Sequence, residues 1–238
     1  MSTSTVYWSP FYVQGFSEMV FSSPEKVLPE LNIPLFQETG LLKCPSFTGQ
    51  LQNTYVVRSP YDIEIGWDEE QGIWRCNWSD ERSNVFLVRS SQYQMFSFKI
   101  SYILTSDDEN MKAEFKPASY HNCEFTHKTS FISGELDIGK YCRGTDCSFI
   151  LKPEYKRVKI KIGDPLFYVT FKSADSIKKI FLKKFYLNNE LEHIVRSVDD
   201  MKRNKIFTNF KLEDYYRMFI EGGYRKKTLK LIKENLLD

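Results

Sequence analysis

Three side chains that could serve catalysis or ligand binding lie in one short segment of the chain. Asp137, Tyr141 and Arg143 stand in GELDIGKYCRG, between two runs of residues typical of buried strands. A carboxylate, a phenol and a guanidinium at this spacing could form a small-molecule pocket. The structural alternative is that the flanking glycines shape turns, Asp137 caps one of them and Tyr141 packs. A phosphohydrolase also needs phosphate donors, Mg²⁺ and a positioned water, and one carboxylate with a tyrosine does not supply that set.

A second group has the side chains that zinc prefers. His121 and Cys123, together with Cys142 and Cys147, could supply four nitrogen and sulfur ligands. Their spacing matches no common zinc module, and small thiols near strands are often simply buried. A non-haem iron site would need two His and a carboxylate on one face, and the chain has only 3 His. The sequence therefore predicts no metal and no cofactor, with Mg²⁺ as the alternative if the protein hydrolyses nucleotides.

Tryptophans are concentrated beside an acidic turn. Trp67, Trp74 and Trp78 flank the run Asp68-Glu69-Glu70. Trp has a large apolar face and one hydrogen-bond donor, so this patch could bind a partner protein or a sugar. Ordinary core packing beside an acidic turn is the alternative. The sequence has no serine-nucleophile motif, Walker-type loop or dinucleotide fingerprint.

The elements that must position these residues are mainly strands. The chain is 42% hydrophobic and 16% aromatic, and aromatic residues favour half-buried pleated surfaces. Short alternating runs separated by turn residues predict a β-sandwich or jelly-roll, with a β-clip-like arrangement as an alternative, over residues 1–172, which include an irregular proline-rich N-terminal arm. The predicted strands are Val6–Trp8, Asn53–Arg58, Asp62–Trp67, Gly72–Trp78, Asn84–Arg89, Phe96–Leu104, Ala113–Pro117, Phe131–Ile138, Ser148–Leu151, Arg157–Ile162 and Leu166–Phe171.

Residues 173–238 are predicted to form a helical subdomain. Apolar residues recur at helical spacing over residues 177–185, and a second helix is predicted at Asn189–Arg203. A helical hairpin follows, with helices at Leu212–Glu221 and Arg225–Leu237 joined by the turn Gly222-Gly223. The apolar side of this hairpin must be buried against the sandwich or against another subunit, so a protein partner or self-association is expected there. Its aromatic residues are Tyr215, Tyr216 and Phe219.

Charge is distributed unevenly between the two parts. From Ala174 onward there are 15 Lys/Arg and 10 Asp/Glu, a balance of +5, whereas the earlier residues have 18 and 21, a balance of −3. A basic helical part favours an acidic partner or, more weakly, nucleic acid, although a solvated helix face explains the same residues. The chain starts without a signal-peptide pattern, has no apolar run near the roughly 18 residues of a membrane span, and lacks a secreted cysteine framework. An intracellular location is therefore expected, neither secreted nor in a membrane.

The segment containing Asp137 resembles a motif of a known enzyme family. Residues 134–144, followed by Gly163-Asp164-Pro165-Leu166, are similar to the β-clip family of dUTP hydrolases and dCTP deaminases, and Arg89-Ser90-Ser91 is similar to its phosphate motif. The resemblance implies that Asp137 positions or activates water, that Tyr141 stacks under the sugar, and that residues 89–91 and Asp164 contact the ligand. This chain has extra residues on both sides of Tyr141 and ends in helices in place of the family's glycine-rich arm. A shared fold without the activity is therefore the expectation.

The whole chain is similar to an uncharacterised family of proteins from tailed phages, especially T4-like phages of marine bacteria. The similarity is carried by Tyr7-Trp8-Ser9-Pro10, by the stretch from Cys44-Pro45 to Tyr61-Asp62, and by residues 134–139 and 163–166. It implies a phage origin, and so a place in the virion or in the host cytoplasm. The sequence therefore predicts a non-enzymatic protein that acts by protein–protein interaction. The alternative is a protein that binds a nucleotide or another small molecule, or a β-clip-like nucleotide hydrolase, with its pocket around Asp137, Tyr141 and Arg143.

Overall fold

Runs of alternating apolar and polar residues form strands along most of the chain. The computed structural model describes residues 3–11, 21–31, 33–76, 86–98, 102–142, 144–175, 179–203 and 211–237. The strands are β1 (Thr3–Pro10), β2 (Glu25–Lys26), β3 (Thr54–Arg58), β4 (Ile63–Asp68), β5 (Ile73–Cys76), β6 (Phe86–Ser90), β7 (Met95–Phe98), β8 (Tyr102–Ser106), β9 (Lys112–Pro117), β10 (Thr129–Phe131), β11 (Gly134–Leu136), β12 (Cys147–Leu151), β13 (Arg157–Ile160), β14 (Pro165–Lys172) and β15 (Lys179–Lys184). The helices are α1 (Val27–Glu30), α2 (Pro34–Glu38), α3 (Pro45–Leu51), α4 (Glu124–Lys128), α5 (Asn189–Arg203), α6 (Leu212–Glu221) and α7 (Tyr224–Glu234).

The sheets have an order that sequence periodicity does not reveal. The largest has the order β11-β9-β14-β3-β2, and the others have the orders β10-β12-β7-β6, β13-β4-β5 and β15-β1-β8. They enclose a main core rich in phenylalanine. Its fully buried rings Phe96, Phe98, Phe125 and Phe149 contact one another with centroids 4.8 to 6.1 Å apart. The predicted fold class, a mainly β sandwich with a C-terminal helical part, is confirmed.

The five-stranded sheet is buried on both faces at β14 and β3. Phe167 and Val169 of β14 enter the main core, whereas Tyr168 points to the opposite face. There the N-terminal arm packs Val27 and Leu31 of the α1 region over Tyr168 and forms a separate small core. Burial on both faces explains why β14 is an almost continuous apolar run instead of an alternating one.

In the sheet β15-β1-β8, strands β1 and β8 are also covered on both faces, and this joins the helices to the sandwich. Val6 and Trp8 of β1 enter the main core, whereas Tyr7 enters a second core together with Ile103. The predicted hairpin is present as α6 and α7, and its apolar side is buried in the same chain. The second core is closed by Leu191, Val195, Phe219 and Ile232 from the helices. No helix within the described ranges has the length and apolar character that crossing a membrane requires.

Residues 179–184 form strand β15, so the helix predicted over residues 177–185 is wrong there, and residues 176–178 lie outside the described part. Ile180 and Leu182 pack against the main core, whereas Phe181 is exposed. This alternation has the period of a strand, and parallel pairing with β1 aligns Thr5 with Phe181. The partner strand, about 170 residues earlier in the chain, decided the structure of this segment.

Two predicted strands are each divided between two sheets. The predicted strand Phe96–Leu104 corresponds to β7 in the four-stranded sheet and β8 in the sheet with β1. The predicted strand Phe131–Ile138 corresponds to β10, to β11 in the five-stranded sheet, and to a 3₁₀ turn that begins at Ile138. Sandwiches turn their corners where the chain passes from one sheet to the next, and an uninterrupted apolar pattern hides such a corner.

Candidate functional site

Asp137, the carboxylate of the predicted catalytic segment, lies at the surface. It precedes the 3₁₀ turn Ile138–Lys140, and its backbone carbonyl accepts a hydrogen bond from the Lys140 N–H at 2.9 Å. Its Oδ1 is 3.9 Å from Nζ of Lys112, which lies closer, at 2.7 Å, to Glu135. The carboxylate therefore belongs to a loose surface group of charges.

Tyr141, four residues further on, lies in the interior. It is fully buried in the second core, with its ring centroid 6.2 Å from that of Tyr216. The neighbouring Cys142 is buried as well, and burial raises the pKa of its thiol to about 12. Arg143 lies outside the described residues. Asp137 and Tyr141 therefore occupy the surface and the interior, and burial leaves the Tyr141 ring no surface on which a sugar could stack.

The segment between these two residues joins the sandwich to the helices. A Cβ on Gly139 would lie 2.2 Å from the carbonyl oxygen of Asp108, so only glycine fits this close approach of two backbone segments. Arg225 of α7 donates from Nε to the Gly139 carbonyl at 2.7 Å and from Nη2 to the Asp107 carbonyl at 2.8 Å. The glycine and the arginine thus clamp α7 to the loop between β8 and β9.

The residues similar to a phosphate motif have partners within the fold. Arg89 donates from Nε to Ser97 Oγ, and its Nη2 lies 3.3 Å from an Asp146 carboxylate oxygen. Ser90 and Ser91 lie at the turn between β6 and β7, where the Ser90 hydroxyl accepts the Tyr93 N–H and the Ser91 carbonyl accepts the Gln94 N–H. Asp164 accepts the Lys161 N–H at 2.9 Å in the turn between β13 and β14. These residues therefore belong to separate turns and sheets.

The residues of the alternative zinc set also have separate surroundings. Cys123 is at the N-cap of α4, where its N–H donates to Thr126 Oγ1 at 3.0 Å. Cys147 is buried in the main core, whereas Cys142 is in the second core. His121 bonds to Tyr168 and Glu30. Across the described ranges, no group of three or more His, Cys, Asp or Glu is placed to hold a metal ion.

The tryptophans of the predicted patch pack partly into the core. Trp67 and Trp74 lie opposite each other on β4 and β5, with ring centroids 5.4 Å apart in an edge-to-face arrangement. Trp74 continues inward to Phe96 at 5.2 Å. Trp78 lies outside the described residues. The two described rings therefore supply apolar area to the main core and present only their outer parts at the surface.

The aromatic residues of the C-terminal helices are used within the chain. Phe219 is 3% exposed and Tyr216 packs beside it against the second core. The side chain of Tyr215 lies outside the described part. Met218 and Tyr224, near the turn between α6 and α7, are the exposed apolar residues there, at 44% and 55%.

The outer edge of β15 is the candidate functional surface. In a strand, successive residues direct their N–H and C=O groups toward opposite edges. The Phe185 N–H points to Trp8 of β1, whereas the Tyr186 N–H bonds to the Asn235 carbonyl and the Lys184 carbonyl accepts the Leu237 N–H. The backbone N–H and C=O groups of the even-numbered residues in this segment therefore point away from β1. Residues 235–237 already lie along this edge as a short antiparallel segment, linked by the bridge between positions 185 and 236.

The same periodicity directs the backbone groups of Ile180 and Leu182 away from β1. Within the described ranges, no segment pairs with this edge at those two residues. Lys179, Phe181 and Lys183 are exposed beside it, and Lys179 Nζ lies 5.0 Å from the centroid of the Phe181 ring. We call the outward backbone of residues 180 and 182, with these three side chains, the β15 edge.

Sequence reasoning missed this surface because it predicted a helix there. The signal that could have found it is the run Lys179-Ile180-Phe181-Leu182-Lys183, in which charged or exposed residues alternate with aliphatic ones. The two lysines contribute to the positive balance noted for this part of the chain. In the described residues neither Lys179 nor Lys183 has a carboxylate partner, so the edge presents uncompensated positive charge.

Comparison of the chain with protein-family models, with curated proteins and with solved structures found no match.

Proposed function

We propose that the protein functions by binding, and that the β15 edge takes up an extended acidic segment of a partner protein as an added strand. The observation that carries the proposal is the pairing of residues 235–237 along this edge, directly beside the outward-facing backbone of Ile180 and Leu182. A segment that continues the row would satisfy two N–H and two C=O groups. Strand addition of this kind is a common mode of peptide recognition.

The magnitudes indicate that backbone bonds alone would not hold the partner. Four hydrogen bonds contribute about 2–6 kcal/mol in total, and association costs at least about 4 kcal/mol. Contacts to Phe181, which is 40% exposed, and ion pairs with Lys179 and Lys183 must supply the remainder. We therefore expect weak to moderate binding, with a Kd on the order of 100 µM for a short peptide.

The lysines also favour a foreign strand over a second copy of the chain. Positive side chains along an edge strand repel the same edge of another molecule, and this is a common protection against edge-to-edge aggregation. Alternating acidic residues would relieve the repulsion. The resemblance to tailed-phage proteins is the reason to seek this partner among virion and host proteins. The nucleotide pocket expected around Asp137 and Tyr141 has less support because Tyr141 is buried.

The test uses a fluorescein-labelled peptide, Glu-Val-Glu-Val-Glu with blocked termini, and its counterpart with Lys in place of Glu. Fluorescence anisotropy should show saturable binding of the acidic peptide only. The double variant Lys179→Glu/Lys183→Glu should lose the acidic peptide by about tenfold or more and gain the basic one. The matched control Lys226→Glu/Lys233→Glu changes net charge equally on the exposed side of α7 and should stay within about twofold of wild type at 0.15 M salt.

Hydrogen exchange locates the bound peptide. The amides of Ile180 and Leu182 should become protected when the acidic peptide binds, because they donate to the new strand. Unchanged exchange at these two amides would contradict strand addition even if the peptide bound elsewhere. Equal loss of binding in the two double variants would mean that net charge alone, and not the position of the lysines, determines binding. A single-stranded oligonucleotide that binds more tightly than the acidic peptide, and no longer binds to the Lys179→Glu/Lys183→Glu protein, would assign the surface to nucleic acid instead.

A further inference from the structure

A groove unrelated to the β15 edge lies between the loop that precedes α4 and the ends of β10 and β12. Its volume is about 410 Å³, within the range of small-ligand sites. Phe131, Phe149 and Leu166 form apolar parts of the wall, and His121, His127 and Lys152 are among the polar ones. None of its 12 lining residues is acidic.

His121 holds one wall of this groove in place. Its Nε2 is 2.8 Å from a carboxylate oxygen of Glu30, and its Nδ1 is 2.6 Å from the Tyr168 hydroxyl. A carboxylate only accepts, so Nε2 carries the proton. In the neutral ring, Nδ1 then accepts from Tyr168, whose oxygen also accepts the Tyr120 N–H at 3.1 Å. Both nitrogens of His121 are thus occupied, and its role is to position the loop.

The polar groups that remain for a ligand are mostly donors. Lys152 gives one of its three N–H bonds to the His127 carbonyl, and His127 uses Nε2 toward the Tyr155 hydroxyl at 2.9 Å. Two ammonium protons of Lys152 are left, and Nδ1 of His127 is a further donor in the tautomer in which Nε2 accepts from the Tyr155 hydroxyl. Two nearby carboxylates are neutralised elsewhere, since Glu30 pairs with Arg58 and Glu124 with Lys128. The groove therefore presents positive charge over an aromatic wall.

We propose that this groove binds a small organic anion, a carboxylate or phosphate attached to an apolar group. Lys152 and His127 hold the charged group at the mouth, and the apolar part lies against Phe131, which is partly buried and is backed by the fully buried Phe149. The Phe131 ring centroid lies 5.3 Å from that of Phe149, and Phe131 also stacks on Phe167 at 5.4 Å, so the wall is fixed by the main core. The site shares no residue with the β15 edge and stands independently of the function proposed above.

The test uses phenyl phosphate as the probe and benzyl alcohol as its uncharged counterpart. Calorimetric titration at neutral pH should give saturable binding of phenyl phosphate, with a Kd of about 1 mM or tighter, and much weaker binding of the alcohol. Lys152→Met keeps the aliphatic stem and removes the charge, and it should weaken phenyl phosphate binding by about tenfold. The matched control is Lys156→Met, an exposed lysine four residues further on that pairs with Glu69 and does not line the groove. It should bind as wild type does.

Amide chemical shifts complete the assignment. Phenyl phosphate should move the resonances of residues 118–128 and 152 and leave those of 179–184 in place. Saturable binding with these shifts and a selective loss in Lys152→Met supports the site. No saturable binding, equal binding by the Lys152→Met and Lys156→Met proteins, or equal binding of the alcohol each overturns it.

Discussion

Arg225 should be one of the residues whose replacement lowers the stability of the protein most, because it links α7 to the sandwich. It lies in the first turn of α7, where the helix dipole disfavours a positive charge. It is held there by the carbonyls of Gly139 and Asp107, with a longer 3.3 Å contact to the Ser106 carbonyl. Replacing it with Met keeps much of the stem and removes every donor. The change tests whether this clamp fixes the helices on the sandwich.

The size of the effect follows from the contacts. A hydrogen bond to a charged group contributes about 1.5–3 kcal/mol, and Arg225 is only partly buried, so the low end applies to each of its two short bonds. Loss of both costs about 3 kcal/mol, and relief of the unfavourable dipole interaction returns about 0.5 kcal/mol. For a chain of 238 residues, a net loss of 2–3 kcal/mol lowers Tm by roughly 5–10 °C.

Thermal unfolding and hydrogen exchange measure the two parts of this prediction. Arg225→Met should lower Tm and should speed exchange in α6 and α7 before the sandwich strands respond. The Tm of Arg225→Lys should lie between that of Arg225→Met and that of wild type, because one ammonium group cannot reproduce the two-pronged hydrogen bonding of a guanidinium. Arg217→Met is the control, since Arg217 is 64% exposed and its ion pair among the described residues is with Asp214 of its own helix, and it should change stability by less than about 0.5 kcal/mol. An Arg225→Met protein as stable as the control would refute the clamp.

Two further predictions concern the same region and the buried phenols. Gly139→Ala should destabilise the fold by about 2–3 kcal/mol in chemical denaturation, because its Cβ would meet backbone oxygens. Gly134→Ala is the control, since a Cβ there has no heavy atom within 4 Å, and its stability should stay within about 0.5 kcal/mol of wild type. Equal effects of the two changes would contradict the close backbone approach at Gly139. Burial raises the pKa of the Tyr61 and Tyr168 phenols, so the folded chain keeps protons that the unfolded chain releases above about pH 10. The free energy of unfolding should therefore fall as pH rises beyond 10, by up to about 1.4 kcal/mol per pH unit for each phenol, and should fall less steeply in Tyr61→Phe; a free energy that is flat up to pH 11 would count against this account.

Local pattern was sufficient for much of the fold. The helices at Asn189–Arg203 and Leu212–Glu221 have the bounds that apolar periodicity predicted, because each has one apolar side and the second is ended by Gly222. Strand β13 was found because its alternation reflects a single buried face. The sheet orders were not predictable, since they depend on pairings between distant segments.

Strand β15 shows where local reasoning fails. Its apolar residues fit both a helical spacing and a strand alternation, and no turn residue lies inside the run to decide between them. The deciding interaction is the row of bonds to β1 at the other end of the chain. An edge strand of this kind also lacks the aromatic and β-branched density of a central strand, so propensity favoured the helix.

The β15 edge and the groove differ from the site predicted around Asp137 and Tyr141 for the same reason. The groove depends on Glu30 and Tyr168, which lie 91 and 47 residues from His121 in sequence, and nothing in their local sequence marks them as a group. The segment GELDIGKYC attracted attention because glycines, an acid and an aromatic lie close together in sequence. In the fold, Gly139 permits a close backbone approach, Asp137 begins a turn and Tyr141 fills the second core. A joint between a sheet and a set of helices needs these residue types as much as an active site does, so composition in a short segment cannot separate the two. The burial of Tyr141 is what favours the joint.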